Sequence, residues 1–315
     1  MADVYMHSRM SEDVIKKLNY GFIKDLVYLG AQGPDPMYYN AFSKDHKEYR
    51  FIADRMHDTN TRMLLSNMVS HVKHNLNHEN YSHLVGFICH YALDVKIHPY
   101  VYYNVGKYDV NVPETHQYRG LHMKFERSMD AVLIEKETKK KANKLKFHKT
   151  VFPVKVSPLE VMKTFDYALK QSFGKDNGGV MYLIATQKMY KNMKVFVYDP
   201  LGIKKQLYKI FDLFNKGDMF YTDLSFFNHI ENYDYLNEQK NTWHHPVTNE
   251  AYNFSVMELY DQAIEFALKI IRKINPYIFN DKSIDLDTVF TNLSFNSGLA
   301  CDHHDKLKYF NNYRK

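Results

Sequence analysis

An all-helical fold is what this sequence predicts, and three observations carry that reading. Apolar residues recur every three to four positions through most of the chain. Glycine and proline, the usual punctuation of strands and turns, number only 12 and 9 in 315 residues. Two segments, Ser157-Pro158-Leu159-Glu160 and Ser255-Val256-Met257-Glu258, have the form of capping boxes that open helices.

Taken in order, the spacing predicts helices over 8–29, 45–77, 79–105, 114–140, 157–173, 178–193, 200–216 and 255–274. Between the first two, Gly30 to Pro36 is expected to be a loop, because prolines on both sides of Asp35 stop a helix. The helix at 157–173 places Pro158 at its first position, where a missing amide is tolerated. The last helix carries Leu259, Ala263, Phe266, Ala267 and Ile270 on one stripe. Val195–Tyr198 is the best strand candidate, and it is short. The lysine-rich run from Lys139 to Lys149, just before Phe152-Pro153, reads as a seam between two helical portions, 1–150 and 151–315. Its lysines suit a solvated helix end, with contact to anionic lipid or nucleic acid as the alternative.

Composition excludes several classes. Two cysteines, Cys89 and Cys301, cannot build a disulfide framework or a cysteine-rich zinc site. No run approaches the roughly 18 apolar residues of a membrane-spanning helix. The first residues lack the basic and apolar regions of a secretory signal, so a cytoplasmic location is expected. A net charge of +6 is mild, and no stable nucleic-acid complex is expected from it. Oligomeric state is left open by the sequence.

Histidine is the compositional departure, at 17 residues, with eleven of them in the first 122. The most specific pattern is His90-Tyr-Ala-Leu-Asp94-Val-Lys-Ile-His98-Pro99. Steps of four advance about 400° around a helix, so the three side chains share one narrow face. Chance predicts about 0.07 such triplets at this composition. The stripe can offer two imidazoles and a carboxylate to one metal, or let Asp94 bridge two; a buried hydrogen-bonded ladder is the bland alternative. His122 and Glu126 stand one turn apart on the next helix, as a ligand pair or as a surface ion pair. Asp35 is held in the Pro-flanked loop, where aspartate also suits a turn. His57 lies at the start of a helical stretch, and His7 lies just ahead of the first helix. His71, His74, His78 and His83 have similar spacing, but their polar surroundings read as a solvated helix end. The pairs His244-His245 and His303-His304 read as solvent-facing or as support for ligands.

The order Gly-Pro-Asp35-Pro, Met-His57-Asp-Thr, His90-x3-Asp94-x3-His98-Pro, His122-x3-Glu126 resembles the bacterial zinc-dependent phospholipase C family, whose fold is shared with the S1/P1-type nucleases. The resemblance covers roughly residues 5–135. It implies a multi-helix metal-binding domain over 1–150 with a helical extension, 151–315, packed on it. It further implies two to three zinc ions in a cleft, with Asp94 bridging two of them. Asp35, His57 and His90 would complete one site, His98, His122 and Glu126 a second, and His7 would help hold a third beside Asp94. The implied activity is hydrolysis of a phosphodiester, with phospholipid as the substrate class, water activated by the zinc ions and Asp35 as a general base. Unlike the secreted relatives, this chain has no N-terminal tryptophan to serve the third zinc, and fewer residues separate Asp94 from His98. A single-strand nuclease or phosphatase of the same fold, and a metal-stabilised scaffold without catalysis, are the competing readings. Met63, Met68, Tyr100, Tyr102 and Tyr103 are expected mainly in the core, with an acyl-lining wall as the alternative.

Overall fold

The computed structural model describes residues 4–40, 43–215, 220–227, 230–302 and 306–313. Its helices are α1 (Val4–Ile15), α2 (Lys24–Gly30), α3 (His46–Asp58), α4 (Thr61–His74), α5 (His78–Val105), α6 (Leu121–Thr138), α7 (Phe147–Thr150), α8 (Leu159–Phe173), α9 (Gly178–Asn192), α10 (Ile203–Asp212), α11 (Val256–Asn280) and α12 (Leu286–Val289). One small antiparallel pair, β1 (Trp243–His244) and β2 (Ala251–Tyr252), matches Trp243 with Tyr252 and His244 with Ala251. The all-helical expectation holds.

The differences lie at breaks. The expected 8–29 helix is two, α1 and α2, divided over a stretch that contains Gly21. Asn60, with φ 51°, divides the expected 45–77 helix into α3 and α4. Gly120, with φ 72°, separates a 3-10 turn at Pro113–Tyr118 from α6. Helix α1 also starts earlier than expected. Two carboxylate oxygens of Asp130, on α6, accept the amides of Tyr5 and Met6 at 2.7 and 3.0 Å and so cap α1 from another helix.

Of the two expected capping boxes one forms. Ser255 accepts the Glu258 amide, the Glu258 carboxylate accepts the Ser255 amide, and α11 then runs to Asn280, past the expected end at 274. Ser157 instead pairs with Thr186 at 2.8 Å, tying α8 to α9, and Pro158 stands as an extended residue ahead of α8. Val195–Tyr198 is not a strand. Met193–Val197 continues α9 as a π-helical turn, with Met193 and Val197, four apart, both buried.

Helix α5 is the axis of the molecule. Of its 28 residues, 23 are buried, as expected of a helix covered on every side. It starts on a capping box formed by Asn77 and Asn80. Helices α2 and α11 make its most extensive contacts, with α1, α4, α6 and α8 around the rest. The α2 crossing is very close: a Cβ on Gly86 would lie 2.1 Å from the Val27 carbonyl oxygen, and one on Gly30 would lie 2.1 Å from that of His83. One apolar core runs from Val4 to Phe295 and draws on both halves of the chain. Lys139, Lys140, Lys144, Lys146 and Lys149 of the basic run are exposed, while Phe147 and Phe152 anchor it in that core.

Candidate metal centre

The stripe on α5 becomes the wall of a buried polar cluster. Asp94 is fully buried, and its two oxygens face different imidazoles. Oδ2 lies 3.0 Å from His90 Nε2 and 3.8 Å from His57 Nε2. Oδ1 lies 3.4 Å from His98 Nε2 and 3.3 Å from His7 Nε2. Asp35 Oδ1 stands 3.4 Å from His57 Nε2. On the other side, Glu126 Oε1 is 3.3 Å from His98 Nε2 and 3.0 Å from His122 Nε2. All eight residues singled out in the sequence therefore meet in one place. They fall into three groups of metal-ligand type, the first two sharing His90: His7, His90 and Asp94; Asp35, His57 and His90; His98, His122 and Glu126.

The fold sets the imidazole tautomers. His57 Nδ1–H donates to the Ala53 carbonyl at 2.8 Å, one turn back on α3. His90 Nδ1–H donates to Ala31 at 3.0 Å, a contact that the close α2–α5 crossing makes possible. His98 Nδ1–H donates to Phe295 at 3.0 Å. A carbonyl can only accept, so in each neutral ring the proton is on Nδ1 and the lone pair is on Nε2, pointed at the carboxylates. Lone pairs then converge from both sides. Asp35 Oδ1, both Asp94 oxygens, His90 Nε2, His98 Nε2 and both His7 nitrogens are buried without a hydrogen bond. Such a set is costly unless a cation sits among its members. Nitrogen and carboxylate donors with no thiolate are the set that zinc accepts, so the residues fit the metal.

Electrostatics agree with a ligand role. Burial alone would raise the Asp94 carboxyl, yet the His90, His98 and His7 imidazoles hold it well below the ordinary value. Asp35 is likewise lowered against its burial, by its contact with His57 and by His90. Glu126 is lowered against its burial by His122. All three are carboxylates at neutral pH. Burial depresses His90 and His122, whereas contact with Asp35 raises His57 against its burial.

A cleft of about 790 Å³ opens onto this cluster, with His57, His98 and His122 on its wall. Asp35, Asp94 and His90 lie behind them. Tyr38, Tyr102, Tyr108, Tyr118 and Tyr221 give the cleft an aromatic lining, and Arg50, Lys107, Asp54, Asp58 and Asp223 give it charges of both signs. Tyr38 donates to Asp54 at 2.8 Å and Tyr102 to Asn296 at 3.2 Å. Burial raises the pKa of both phenols, so they remain neutral donors.

Some supporting residues are not legible as site residues in the sequence. The Phe295 ring packs 5.2 Å from that of His57 and 5.7 Å from that of His90, while its amide donates to the His57 carbonyl at 2.8 Å. Gly33 has φ +49°, and a Cβ there would fall 2.2 Å from the His90 ring. Tyr102 carried a signal that was available, because it continues the four-residue rhythm of 90, 94 and 98 into the cleft. Met68 and Tyr100 belong to the core as expected; Met63 is exposed and Tyr103 only half-buried.

Among the histidines set aside, His74 and His78 bond exposed backbone carbonyls, as expected of a solvated end. His83 corrects that reading. It is buried, with its ring nitrogen 3.1 Å from the Tyr182 hydroxyl, because α5 passes into the core from Asn80 onward. His245 is largely buried and bonds the Ser297 carbonyl at 2.9 Å. His303 and His304 lie outside the described residues. Cys89 is buried and Cys301 half-buried, and both are free.

A family model described as zinc dependent phospholipase C matches residues 6–172, a span that holds all eight clustered residues. No curated protein and no solved structure matches the chain. That span is just over half of the chain, and the helical fold and the donor set agree with it: the chain belongs to the zinc-dependent phospholipase C family.

Proposed function

We propose that this chain is a zinc-dependent phosphoric diester hydrolase that cleaves phospholipid headgroups at the cleft. The observation that carries the reading is Asp94, whose two oxygens face two separate sets of imidazoles while neither accepts a hydrogen bond. In this reading Asp94 would hold zinc from both of its oxygens, with Asp35, His57 and His90 as further ligands on one side, His98, His122 and Glu126 on the other, and His7 beside Asp94. Bound zinc would polarise a phosphoryl oxygen and lower the pKa of a water towards about 7.

The chain's own groups do the rest. The Nδ1–H bonds to Ala53, Ala31 and Phe295 fix three imidazoles, so the donor set does not reorganise during turnover. Neutral Tyr38 and Tyr102 have hydroxyls beside the cleft that would orient phosphate oxygens by turning from Asp54 and Asn296. Asp35, ionised and next to His57, is the general base that takes the proton of the attacking water. The expected signature of Asp35→Asn is a fall in kcat larger than its fall in zinc content; equal losses would remove the base role. No helix among the described residues is long and apolar enough to cross a membrane.

The five cleft tyrosines favour a second reading, a single-strand nuclease, because bases stack on such rings. Asp54, Asp58 and Asp223 on the same walls oppose a polyanion. Assays on a chromogenic phosphocholine ester and on single-stranded DNA separate the two. Ester hydrolysis is expected, and activity on neither substrate would leave a metal-stabilised scaffold.

A further inference from the structure

Helix α10 is built inside out. The side chains it buries are Lys205 and Tyr208, while Ile203, Leu207, Ile210 and Phe211 face solvent. Lys205 is held inward by the carbonyls of Thr222 and Ser225 and lies 3.4 Å from the centre of the Phe227 ring. Positions 203, 207, 210, 211 and 214 follow helical spacing, so the exposed apolar residues form one stripe rather than a scatter. Leu201, Leu213 and Phe214 lengthen it at both ends, with 78%, 79% and 81% of their surface exposed. Single exposed apolar residues are ordinary; a contiguous stripe of this size marks an interaction surface.

The charges around the stripe identify its partner. From Lys188 to Asn215 the exposed charged residues are Lys188, Lys191, Lys194 and Lys209, all positive. The two carboxylates of that stretch are used internally: Asp199 accepts the Lys205 amide at 2.9 Å, and Asp212 accepts the Tyr221 and Thr222 amides. An apolar face on a stretch of chain whose exposed charges are all lysines fits a surface that is oily within and anionic at its boundary, which is a phospholipid bilayer. The stripe also stands at the cleft. Asn215, just past the end of α10, lines the cleft together with Tyr221, whose ring is 6.0 Å from that of Phe211. We propose that α10, with Leu213 and Phe214, is an interfacial helix that docks the chain on an anionic bilayer with the cleft mouth against the headgroups. The segment lies beyond the matched span of 6–172. The proposal rests on the phospholipid reading for what enters the cleft, but docking itself is measured without turnover.

The test is co-sedimentation of the full chain with vesicles of phosphatidylcholine mixed with phosphatidylglycerol and with vesicles of phosphatidylcholine alone. The wild type is expected to pellet with the mixed vesicles and less with the neutral ones. The double variant Leu207→Gln, Phe214→Gln is expected to lose about 100-fold in vesicle partition, the effect of withdrawing two large apolar side chains. Its thermal melt, zinc content and hydrolysis of a water-soluble phosphocholine ester should stay at wild-type values. Docking is overturned if the wild type stays in the supernatant, if the variant pellets equally, or if neutral vesicles bind as well as mixed ones. It is also overturned if sedimentation equilibrium finds a lipid-free dimer that the variant dissociates, since a second copy then covers the stripe. Failure to hydrolyse the soluble ester would instead remove the phosphodiesterase reading, and the vesicle result would stand on its own.

Discussion

Gly33 shows how little room the site leaves at the scale of one residue. Its positive φ and the missing Cβ let the loop after α2 press against the His90 ring. Gly33→Ala should cost about 1–3 kcal/mol of stability through strain and overpacking. Because the displaced atoms belong to His90, the same variant should lose activity out of proportion to its stability, as read by urea melts alongside ester hydrolysis. The ligand-type residues themselves were largely legible in the sequence. His90, Asp94 and His98 declare themselves through the helical period, and His122 with Glu126 repeats the same step. Asp35, His57 and His7 could be joined to them only through the family resemblance, since residues that meet across loops leave no periodic trace.

Helix α5 joins the site to the core. Its first turns bury His83, whose imidazole is pushed down by burial to about 3 from the ordinary 6.5. The unfolded chain takes up a proton there below pH 6.5 and the folded chain does not. The stability contributed by a neutral His83 is therefore fully present above pH 6.5 and is lost progressively as pH falls towards about 3. His83→Gln should flatten the fall of the urea midpoint over that window, measured with chelator present so that zinc loss does not contribute; an unchanged slope would place the acid sensitivity elsewhere. The extent of α5 was readable from its apolar spacing. The breaks at Asn60 and Gly120 were not, because a single left-handed residue interrupts a helix without altering the apolar rhythm around it. The reversed polarity of α10 was hidden for a related reason: amphipathic spacing announces a stripe but not which way it faces.

Across the whole molecule, the last quarter of the chain completes the centre. Phe295 reaches back 197 residues to accept the His98 proton and packs on His57 and His90. Phe295→Ala should cost about 3–5 kcal/mol, a buried aromatic lost with its cavity unfilled. It should also loosen zinc, seen as faster metal transfer to a chelator, whereas a change in melting temperature alone would make the ring purely structural. No local pattern announces that contact, which is why the sequence left residues 151–315 without a role in the site. The central claim is that Asp94 stands between two zinc positions, and counting zinc per folded chain tests it most directly. Mass spectrometry of the native protein, with titration after chelation, is predicted to find more than one zinc per wild-type chain. Asp94→Asn should stay folded and lose affinity at both positions by at least about 100-fold, the upper range for disturbing even an outer partner of a metal. A wild-type chain that binds no zinc on titration, or an Asp94→Asn chain that keeps the full complement, would contradict the account.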